Sequence, residues 1–373
     1  MKKGIVINKF LDFDLKLFFI VLGISTVSLI VLASAGFNKE LAYSPAMRKQ
    51  MVYIFAGLLL FVFLNLVNRP FPRKLSWLIY GVLMGLLSLV PFVGKIAGGS
   101  QRWINLGFFQ IQPSETIKFG VIILMAHILA SRAEQRGFKI IGWKDMVLPM
   151  AVILVPFGLV LEQPDLGTAM TIGLIGGSMM LFQGIRRWIL ISGAIFVSAL
   201  FALAWNFYFH DYQKLRVINL FNPEADPRAS GYHALQSKIA VGSGAFWGKG
   251  FLQGTQTQLR FLPEQTTDFI FSVLAEEWGF VGSIILLILY GLLLFHFIRI
   301  IYRSTDYFAI FVTVGVSALI FWQVFINMGM VIGILPVVGI TLPLVSYGGS
   351  SVLTILMCIS LVGALNKKKN VYR

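Results

Sequence analysis

Long runs of apolar residues recur along the whole chain, each with the length of a membrane-spanning helix. A helix needs roughly 20 apolar residues to cross the hydrocarbon core of a bilayer. Ten stretches meet this requirement, and the predicted spans are 15–34, 51–67, 76–93, 112–131, 146–162, 166–183, 188–208, 267–298, 307–332 and 350–366. The eighth is interrupted by Trp278-Gly279 and Gly282, which predicts that its first turns lie at the lipid interface or in a cavity.

Basic residues between these runs predict the orientation of the chain. Lys and Arg collect in cytoplasmic loops, and a basic cluster precedes the first span and follows the second, fourth, sixth, eighth and tenth. The clusters are Lys2, Lys3 and Lys9; Arg69, Arg73 and Lys74; Arg132, Arg136, Lys139 and Lys144; Arg186 and Arg187; Arg299 and Arg303; and Lys367, Lys368 and Lys369. Both termini are therefore expected in the cytoplasm.

Composition narrows the class of protein further. Of 373 residues, 57% are hydrophobic and 13% are charged, which excludes an ordinary soluble domain. The net charge of +15 follows from the topology signal, with anionic membrane lipid as the partner, so no nucleic acid is expected. We predict an all-α fold: a polytopic integral membrane bundle of ten transmembrane helices, forming a single membrane domain over residues 1–373.

Four polar segments should face outward, at 35–50, 94–111, 209–266 and 333–349. The large extracellular loop 209–266, between the seventh and eighth spans, is longer than a plain connector needs to be. Within it, Leu235 and Ile239 lie one helical turn apart beside polar residues, which predicts a short amphipathic helix. Two interpretations stay open: a solvated loop with a membrane-resting helix, or a lid over a lipid head group.

Several familiar kinds of site are excluded by spacing. Cys358 is the only cysteine, so neither a disulfide framework nor a thiolate metal site is available. The four histidines are scattered without the spacing of metal ligands. Gly248-Lys249 does not belong to a phosphate-binding loop, because Ser243 stands where the first glycine should be and Gly250 where Ser or Thr should be.

Ionisable and amide side chains within the apolar runs need an explanation, because burying them in a bilayer is costly. Glu115 and Lys118 share one face of span four, where they could form an internal salt bridge or line a cavity for an anionic substrate. Asp165 is well placed as the N-cap of span six. Gln323 and Asn327 share a face of span nine and are explained by hydrogen bonds between packed helices.

The stretch FLPEQTTDFIFSVLAEEWGF, residues 261–280, carries four acids. Asp268 opens span eight, where an acid interacts favourably with the helix dipole. The dipole would lower its pKa and desolvation would raise it, and the sequence leaves that balance open. Glu276 and Glu277 are expected two or more turns deeper in the span, where they would brace helices or line a cavity.

Several motifs resemble those of the SEDS family of shape, elongation, division and sporulation proteins. They are GGSQRWINLG at 98–107, QPSE at 112–115 with Lys118, QPDLGT at 163–168, the long stretch from His210 to Glu277, and GILPVVGITLPLVSYGGSS at 333–351. The resemblance runs essentially from end to end. The long stretch is most similar to the elongation branch of the family rather than to the division branch.

This resemblance implies a peptidoglycan glycosyltransferase that polymerises lipid II at the outer face of the bacterial cytoplasmic membrane. The expected transfer inverts the anomeric carbon and releases undecaprenyl pyrophosphate. The partners implied are lipid II, the nascent glycan, a class B penicillin-binding protein transpeptidase and membrane proteins of the elongation complex. Asp268 matches the family's essential extracellular aspartate and is expected to be the catalytic base; the other matching motif positions are Arg102, Trp103, Glu115, Lys118 and Asp165.

The departing pyrophosphate requires positive charge. The basic candidates are Arg102, Lys118, Arg216, Lys238 and Lys249. No organic cofactor is expected, and a divalent cation, Mg²⁺ or Mn²⁺, is left open because no dense acidic cage for it is visible.

Two other classes of function stay open. A lipid II flippase would carry buried charges of this kind, but repeated halves with broken helices are typical of transporters and no convincing repeat is found. A non-enzymatic scaffold of the elongation complex would tolerate loss of the acids at the mouth of span eight.

Overall fold

The computed structural model describes residues 13–37, 43–66, 73–97, 100–105, 107, 110–138, 142–207, 214–215, 218–220, 230–262 and 264–366. Helices in this part of the chain are α1 (Leu15–Ala35), α2 (Pro45–Leu66), α3 (Leu75–Val93), α4 (Pro113–Arg136), α5 (Trp143–Glu162), α6 (Leu166–Gln183), α7 (Arg187–Phe207), α8 (Ser230–Ser243), α9 (Thr255–Gln258), α10 (Ile270–Arg303), α11 (Tyr307–Ile332) and α12 (Gly349–Leu365). The strands are β1 (Lys95–Ala97), β2 (Ser100–Asn105) and β3 (Gln110–Ile111).

Each predicted span coincides with a helix. Within the described residues, eight helices are long and apolar enough to cross a membrane: α1 to α6, α10 and α11. Shorter apolar stretches lie in α7, over Arg187–Ala199, and in α12. A mostly helical, multi-pass membrane protein is thus confirmed, while the crossing of all ten helices and the extracellular position of the long loop stay predictions.

The first boundary that differs from the pattern is the start of α2. The apolar run begins at 51, but the helix begins at Pro45. The hydroxyl of Ser44 accepts a hydrogen bond from the backbone N–H of Met47 at 3.2 Å, and Pro at the first helical position is favourable. This cap extends α2 beyond its apolar run, through the basic residues Arg48 and Lys49.

The most buried spans, α4 and α11, form the centre of the bundle, and small residues bring helices close together there. A Cβ added to Gly315 of α11 would lie 2.9 Å from a methyl carbon of Ile122 in α4 and 2.9 Å from the sulfur of Met179 in α6. Gly57 of α2 is overlain in the same way by Leu356 of α12. Glycine at these positions permits the close helix packing that membrane bundles use.

Two polar contacts align α1 with α10 along their whole length. Asp14 caps α1 by accepting a hydrogen bond from Leu17 N at 3.1 Å, and it pairs with Nε2 of His296 at 2.7 Å. Burial raises the pKa of the Asp14 carboxyl, but the hydrogen bonds from His296 and Leu17 hold it below its usual value. At the other end of α1, Ser34 donates to Glu277 Oε1 at 2.5 Å. The two helices are therefore antiparallel neighbours.

Helix α10 is broken at Gly279, whose φ of 64° and ψ of −157° are not helical. Residues 244–250 fill the break and satisfy the backbone groups that it frees, as buried backbone requires. Phe280 N and Val281 N donate to the carbonyls of Ala245 and Phe246, at 3.0 and 3.2 Å; Lys249 N and Gly250 N donate to those of Glu276 and Glu277, at 3.0 and 2.9 Å. The predicted interruption at Trp278-Gly279 is confirmed.

The half-helix before this break, Ile270–Trp278, does not continue the span. Gln265 donates to the carbonyl of Ala35 at 2.7 Å, and Glu277 meets Ser34, so both ends of the segment 265–277 lie at the C-terminal end of α1. The expectation that Glu276 and Glu277 lie deeper in the span is wrong, but the bracing expected of them is confirmed by their contacts with Ser34 and Lys249. The break at Gly279 separates them from the spanning part, which holds about 24 residues from 280 to 303 and at 1.5 Å per residue has the length a crossing needs.

The segment 333–348 was expected to face outward, but it packs inside the bundle. Leu342, Leu344 and Val345 are each at most 1% exposed. Non-helical backbone at membrane depth must find its partners in the protein, and α1, α2 and α10 each supply one of them. Ser28 donates to the carbonyl of Val345 at 2.9 Å, Gln50 to that of Ser346 at 2.9 Å, and Tyr290 to that of Pro343 at 2.5 Å.

A small antiparallel sheet, in the order β1-β2-β3, interrupts an otherwise helical fold. Lys95 pairs with Trp103, and Ile104 pairs with Ile111. The expectation of an all-α fold did not include this sheet, because each strand is short and its pairing involves residues from a glycine-rich segment. The sheet places Arg102 and Trp103 on β2.

The amphipathic helix expected within the long loop is confirmed as α8. Ala234, Ser237 and Ala240 are buried against the neighbouring helices, whereas Leu235 and Ile239 are each 42% exposed. The two apolar residues that revealed the helix thus form its outer face, available to lipid.

We expect Gly279→Ala to destabilise the protein strongly. A left-handed conformation costs an L-residue roughly 1–2 kcal/mol, and a Cβ at Gly279 would lie 2.4 Å from the backbone nitrogen of Gly248. Gly291→Ala is the matched control, since that glycine of α10 has no heavy atom within 4 Å of an added Cβ. Thermal unfolding in detergent should show a lower midpoint for Gly279→Ala only; equal midpoints would contradict the role given to the break.

Candidate active site

Asp268 lies in the turn that precedes the half-helix, and this turn is anchored to the segment 333–348. Ser346 donates its hydroxyl hydrogen to the carbonyl of Thr267 at 2.6 Å, and Tyr347 N donates to the carbonyl of Thr266 at 2.9 Å. The carbonyl of Asp268 itself accepts from Nδ2 of Asn327 at 2.8 Å. Asp268 is half-buried. The backbone that carries its carboxylate is hydrogen-bonded by Ser346, Tyr347 and Asn327.

Gly339 brings backbone against this carboxylate. Its φ is +74°, and a Cβ built there would lie 3.2 Å from Oδ2 of Asp268. The neighbouring Val338 carbonyl lies 2.7 Å from the Cβ position of Gly167, near the start of α6. Residues 338–340 therefore lie between Asp268 on one side and the first turn of α6 on the other, and only glycine combines this conformation with this proximity.

Asp165 caps α6, as the sequence predicts. Its Oδ1 accepts the backbone N–H of Thr168 at 3.1 Å. Oδ2 lies 3.9 Å from Nη1 of Arg102 and 3.5 Å from Nε2 of Gln112. The structural role of Asp165 is thus confirmed, and its side chain joins the sheet to α6 through Arg102.

Arg102 directs most of its guanidinium to backbone. Nε donates to the carbonyl of Gln163 at 2.9 Å, and Nη2 donates to that of Pro164 at 2.5 Å. These bonds hold β2 against the turn between α5 and α6. Its side chain stays 27% exposed, and the neighbouring Trp103 is half-buried, so both keep a surface on which a ligand could rest.

Glu115 and Lys118 form the salt bridge that their spacing predicts. Nζ of Lys118 lies 2.8 Å from Oε1 of Glu115, and the residues are 1% and 7% exposed. The second carboxylate oxygen of Glu115 has no hydrogen-bond partner among the described residues. The pair is a salt bridge within α4, and its role in lining a substrate cavity stays a prediction.

Lys249 forms an ion pair with Glu276. Its Nζ lies 2.8 Å from Oε1 of Glu276 and 2.8 Å from the hydroxyl of Thr255. Glu276 is completely buried and also accepts the backbone N–H groups of Gln256 and Thr257. This cluster fixes the short helix α9 on the half-helix, so the contact found for Lys249 is structural.

Of the two remaining basic candidates, Lys238 lies within the described residues and Arg216 does not. Lys238 of α8 is half-buried against the end of α11, where a Cβ on Gly333 would overlap its Cε. Lys238 also lines a small recess with Leu335 and Pro336. Arg216 lies outside the described residues.

Asn327 was expected to hydrogen-bond between packed helices, and that prediction is wrong. Its Nδ2 donates to the carbonyl of Asp268 at 2.8 Å and to that of Ile340 at 2.7 Å, both in irregular chain. Gln323, one turn earlier, makes no hydrogen bond within the described residues. An Asn near the end of an apolar span, six residues before a left-handed Gly333, is the signal that points to irregular backbone nearby.

The site thus combines the carboxylate of Asp268, the close-packed backbone at Gly339 and the side chain of Tyr347. Burial raises the pKa of the Tyr347 phenol and the adjacent Tyr53 raises it further, so Tyr347 is a neutral hydrogen-bonding group at physiological pH. Among the described residues no group of three His, Cys, Asp or Glu side chains is placed to hold a metal ion. Within the described part of the chain, the arrangement offers the Asp268 carboxylate as a candidate for proton transfer.

Comparison with known proteins gives a consistent set of relatives. A family model for the cell cycle proteins FtsW, RodA and SpoVE matches residues 15–371. The peptidoglycan glycosyltransferase MrdB of Escherichia coli strain K12 is 39% identical over 348 residues, which cover 91% of this chain and 92% of that protein.

Solved structures agree with this similarity. A chain from a peptidoglycan synthase complex, described as coordinating polymerization and crosslinking, superimposes with a TM-score of 0.79 at 32% identity, over 95% of this chain and 97% of that one. The rod shape determining protein RodA of Thermus thermophilus superimposes with a TM-score of 0.69 at 30% identity, over 95% and 96% of the two chains.

Two substitutions at Asp165 separate its cap from its charge. Asp165→Ala removes the acceptor for Thr168 N, and loss of an N-cap typically costs about 1 kcal/mol. Asp165→Asn keeps a capping oxygen and loses only the charge facing Arg102. We expect a lower unfolding midpoint for the alanine variant than for the asparagine variant. If both fall equally, the cap is not what stabilises α6.

Proposed function

The chain belongs to the FtsW, RodA and SpoVE family of cell cycle proteins, and from this membership we propose that it polymerises peptidoglycan. It is a glycosyltransferase of cell elongation that joins lipid II units into glycan strands. The observation that carries the assignment to a site is the turn around Asp268, which presents one carboxylate beside tightly packed backbone. Similarity along nearly the whole chain to a protein named for this activity supports it.

In the proposed reaction the C4 hydroxyl of an acceptor lipid II attacks the anomeric carbon of the growing strand. The new C–O bond forms as the bond from that carbon to undecaprenyl pyrophosphate breaks. The hydroxyl proton passes to Asp268, and the pyrophosphate leaves with the electron pair. Attack from the opposite face inverts the anomeric carbon, so no second carboxylate is needed as a nucleophile.

The geometry suits Asp268 to the role of base. A positioned base contributes typically 10²–10⁴-fold in rate, provided that it stays in place. The backbone of the turn is held by Ser346, Tyr347 and Asn327. The chain around the base therefore needs little rearrangement when substrate binds.

The topology that we propose puts this site on the outer face of the cytoplasmic membrane, with both termini in the cytoplasm and ten crossing helices. Its support is the alternation of basic clusters in the sequence. The two ends of α1 agree with it: Asp14, at the N-terminal end, pairs with His296, whereas Ala35 at the other end accepts from Gln265, three residues before Asp268. The loop 209–266 is then extracellular.

Among the basic candidates for the pyrophosphate, we favour Lys238. Lys118 and Lys249 are held in ion pairs of 2.8 Å. The guanidinium of Arg102 donates to backbone carbonyls and lies near the carboxylate of Asp165. Lys238 makes no ion pair with any described residue and lies on the amphipathic helix α8. It could follow a lipid head group without breaking an existing contact. Arg216 stays a candidate from sequence alone.

Protein partners also form part of the proposal. The similarity to a chain of a peptidoglycan synthase complex supports a class B penicillin-binding protein transpeptidase as the partner that crosslinks the new strand. Other membrane proteins of the elongation complex are proposed on the family resemblance alone.

A second candidate function is movement of lipid II across the membrane. The broken helix at Gly279 and the buried irregular segment 333–348 favour it, because transporters often build their sites from such elements. Lipid II in sealed liposomes tests this directly, since a flippase would move it without making polymer.

Replacing Asp268 tests the proposed base. The purified protein, with its transpeptidase partner, is given lipid II and the glycan polymer is measured. Asp268→Asn removes the base at constant size and should lower polymer formation by about 10²–10⁴-fold. Glu264→Gln is the matched control: it removes an exposed acid from the same turn and should leave the rate unchanged. Undiminished polymer from folded Asp268→Asn overturns the assignment.

We also propose that no organic cofactor is used, because the donor carries its own leaving group, and that a divalent cation arrives with the pyrophosphate. Mg²⁺ keeps most of its waters and needs few protein ligands. EDTA should therefore lower polymer formation, and excess Mg²⁺ or Mn²⁺ should restore it. Calorimetry on the protein without lipid II should show no tight Mg²⁺ binding. Full activity in EDTA would mean that basic side chains suffice.

A further inference from the structure

Asn327 hydrogen-bonds two irregular segments at once, and one of them is the turn that carries Asp268. Its side chain is 0% exposed. The amide nitrogen lies 2.8 Å from the carbonyl oxygen of Asp268 and 2.7 Å from that of Ile340. An asparagine amide carries two N–H donors, so both are used on backbone.

These bonds tie the position of one segment to that of the other. Carbonyls in non-helical chain inside a membrane protein need partners, and these two share a single nitrogen. The distance between the turn and the segment 333–348 is therefore limited by two hydrogen bonds from one rigid amide. No helix-to-helix contact is involved, which distinguishes Asn327 from an ordinary packing residue.

The position of Ile340 affects the surroundings of the Asp268 carboxylate. Gly339 precedes Ile340, and its Cβ position is 3.2 Å from Oδ2 of Asp268. The side chain of Ile340 in turn lies 2.8 Å from the Cβ position of Gly167, two residues after Asp165. A shift of Ile340 relative to Asp268 would thus change where the carboxylate stands with respect to Gly339 and to the start of α6.

We propose that Asn327 is a positioning residue for Asp268, acting through the backbone of the turn and of Ile340. This inference rests on the proposed function, since it concerns the same base. It predicts that loss of the amide slows the chemical step and leaves substrate binding nearly intact.

The test compares Asn327→Leu with the parent protein in the lipid II polymerisation assay. Leucine branches at the same carbon as asparagine but cannot hydrogen-bond. A misplacement of about 1 Å at a reacting group can cost on the order of 10²-fold in rate. We expect kcat to fall by about that factor, with KM for lipid II within about threefold of the parent value.

Gln323→Leu is the matched control. Gln323 is 1% exposed, lies one turn away on the same face of α11 and makes no hydrogen bond within the described residues. It should keep the parent kcat, and its unfolding midpoint should fall less than that of Asn327→Leu, which leaves two backbone carbonyls without a donor. Should Asn327→Leu fail to fold, Asn327→Thr, which is smaller and keeps one hydroxyl donor, replaces it with the same expected division between kcat and KM.

A double substitution separates positioning from general destabilisation. Asp268→Glu keeps a carboxylate but moves it by one methylene. Each single variant retains a fraction of the parent activity, and independent effects would give the double variant the product of these two fractions. If Asn327 acts through Asp268, Asn327→Leu combined with Asp268→Glu should retain at least about threefold more activity than that product, since residues acting as a unit are not additive. Independent losses, an unchanged kcat in Asn327→Leu, or an equal loss in Gln323→Leu would each overturn the proposal.

These outcomes are distinct from failure of the proposed function. If the parent protein makes no polymer, the glycosyltransferase assignment fails. If the parent makes polymer and Asp268→Asn does not, while Asn327→Leu keeps the parent kcat, the base stands and only the positioning role is lost.

Discussion

Non-helical backbone inside a membrane protein must be hydrogen-bonded by the protein itself, and the segment 333–348 depends on this requirement. Four helices contribute: α1 through Ser28, α2 through Gln50, α10 through Tyr290 and α11 through Asn327. Removing any one donor would leave a buried carbonyl without a partner, which costs about 1–3 kcal/mol. The irregular segment is thus a shared element of the bundle, and the turn around Asp268 is fixed because it is bonded to that segment.

The parts of this architecture that could be predicted from sequence are the local ones. Hydropathy located the helices, and spacing identified the pair Glu115 and Lys118 because residues three apart share a helix face. Asp165 was recognised as a cap from its position before an apolar run. Each of these contacts joins residues close together in the chain, so a short window of sequence contains both partners.

The parts that could not be predicted join distant residues. The sequence favours helix packing for Asn327, because an amide in an apolar span does not identify the carbonyls that it contacts. The break at Gly279 was visible, but the return of Glu277 to Ser34 was not, since that contact spans 243 positions. Only the family resemblance selected Asp268 among the acids of its stretch, because the helix-dipole explanation fitted it equally well.

Two of the acids in residues 261–280 are buried carboxylates that accept hydrogen bonds from other segments. Glu276 accepts hydrogen bonds from Lys249 and from both side chain and backbone of Thr257, and Glu277 accepts from Ser34. Protonating Glu276 would break several of these bonds at once. These two acids join the half-helix to α9 and to the end of α1. The break at Gly279 separates the half-helix from the spanning part of α10, and the turn before the half-helix lies against Gly339. The fold thus explains the burial of Glu276 and Glu277, whereas Asp268 is the acid that we propose as the base.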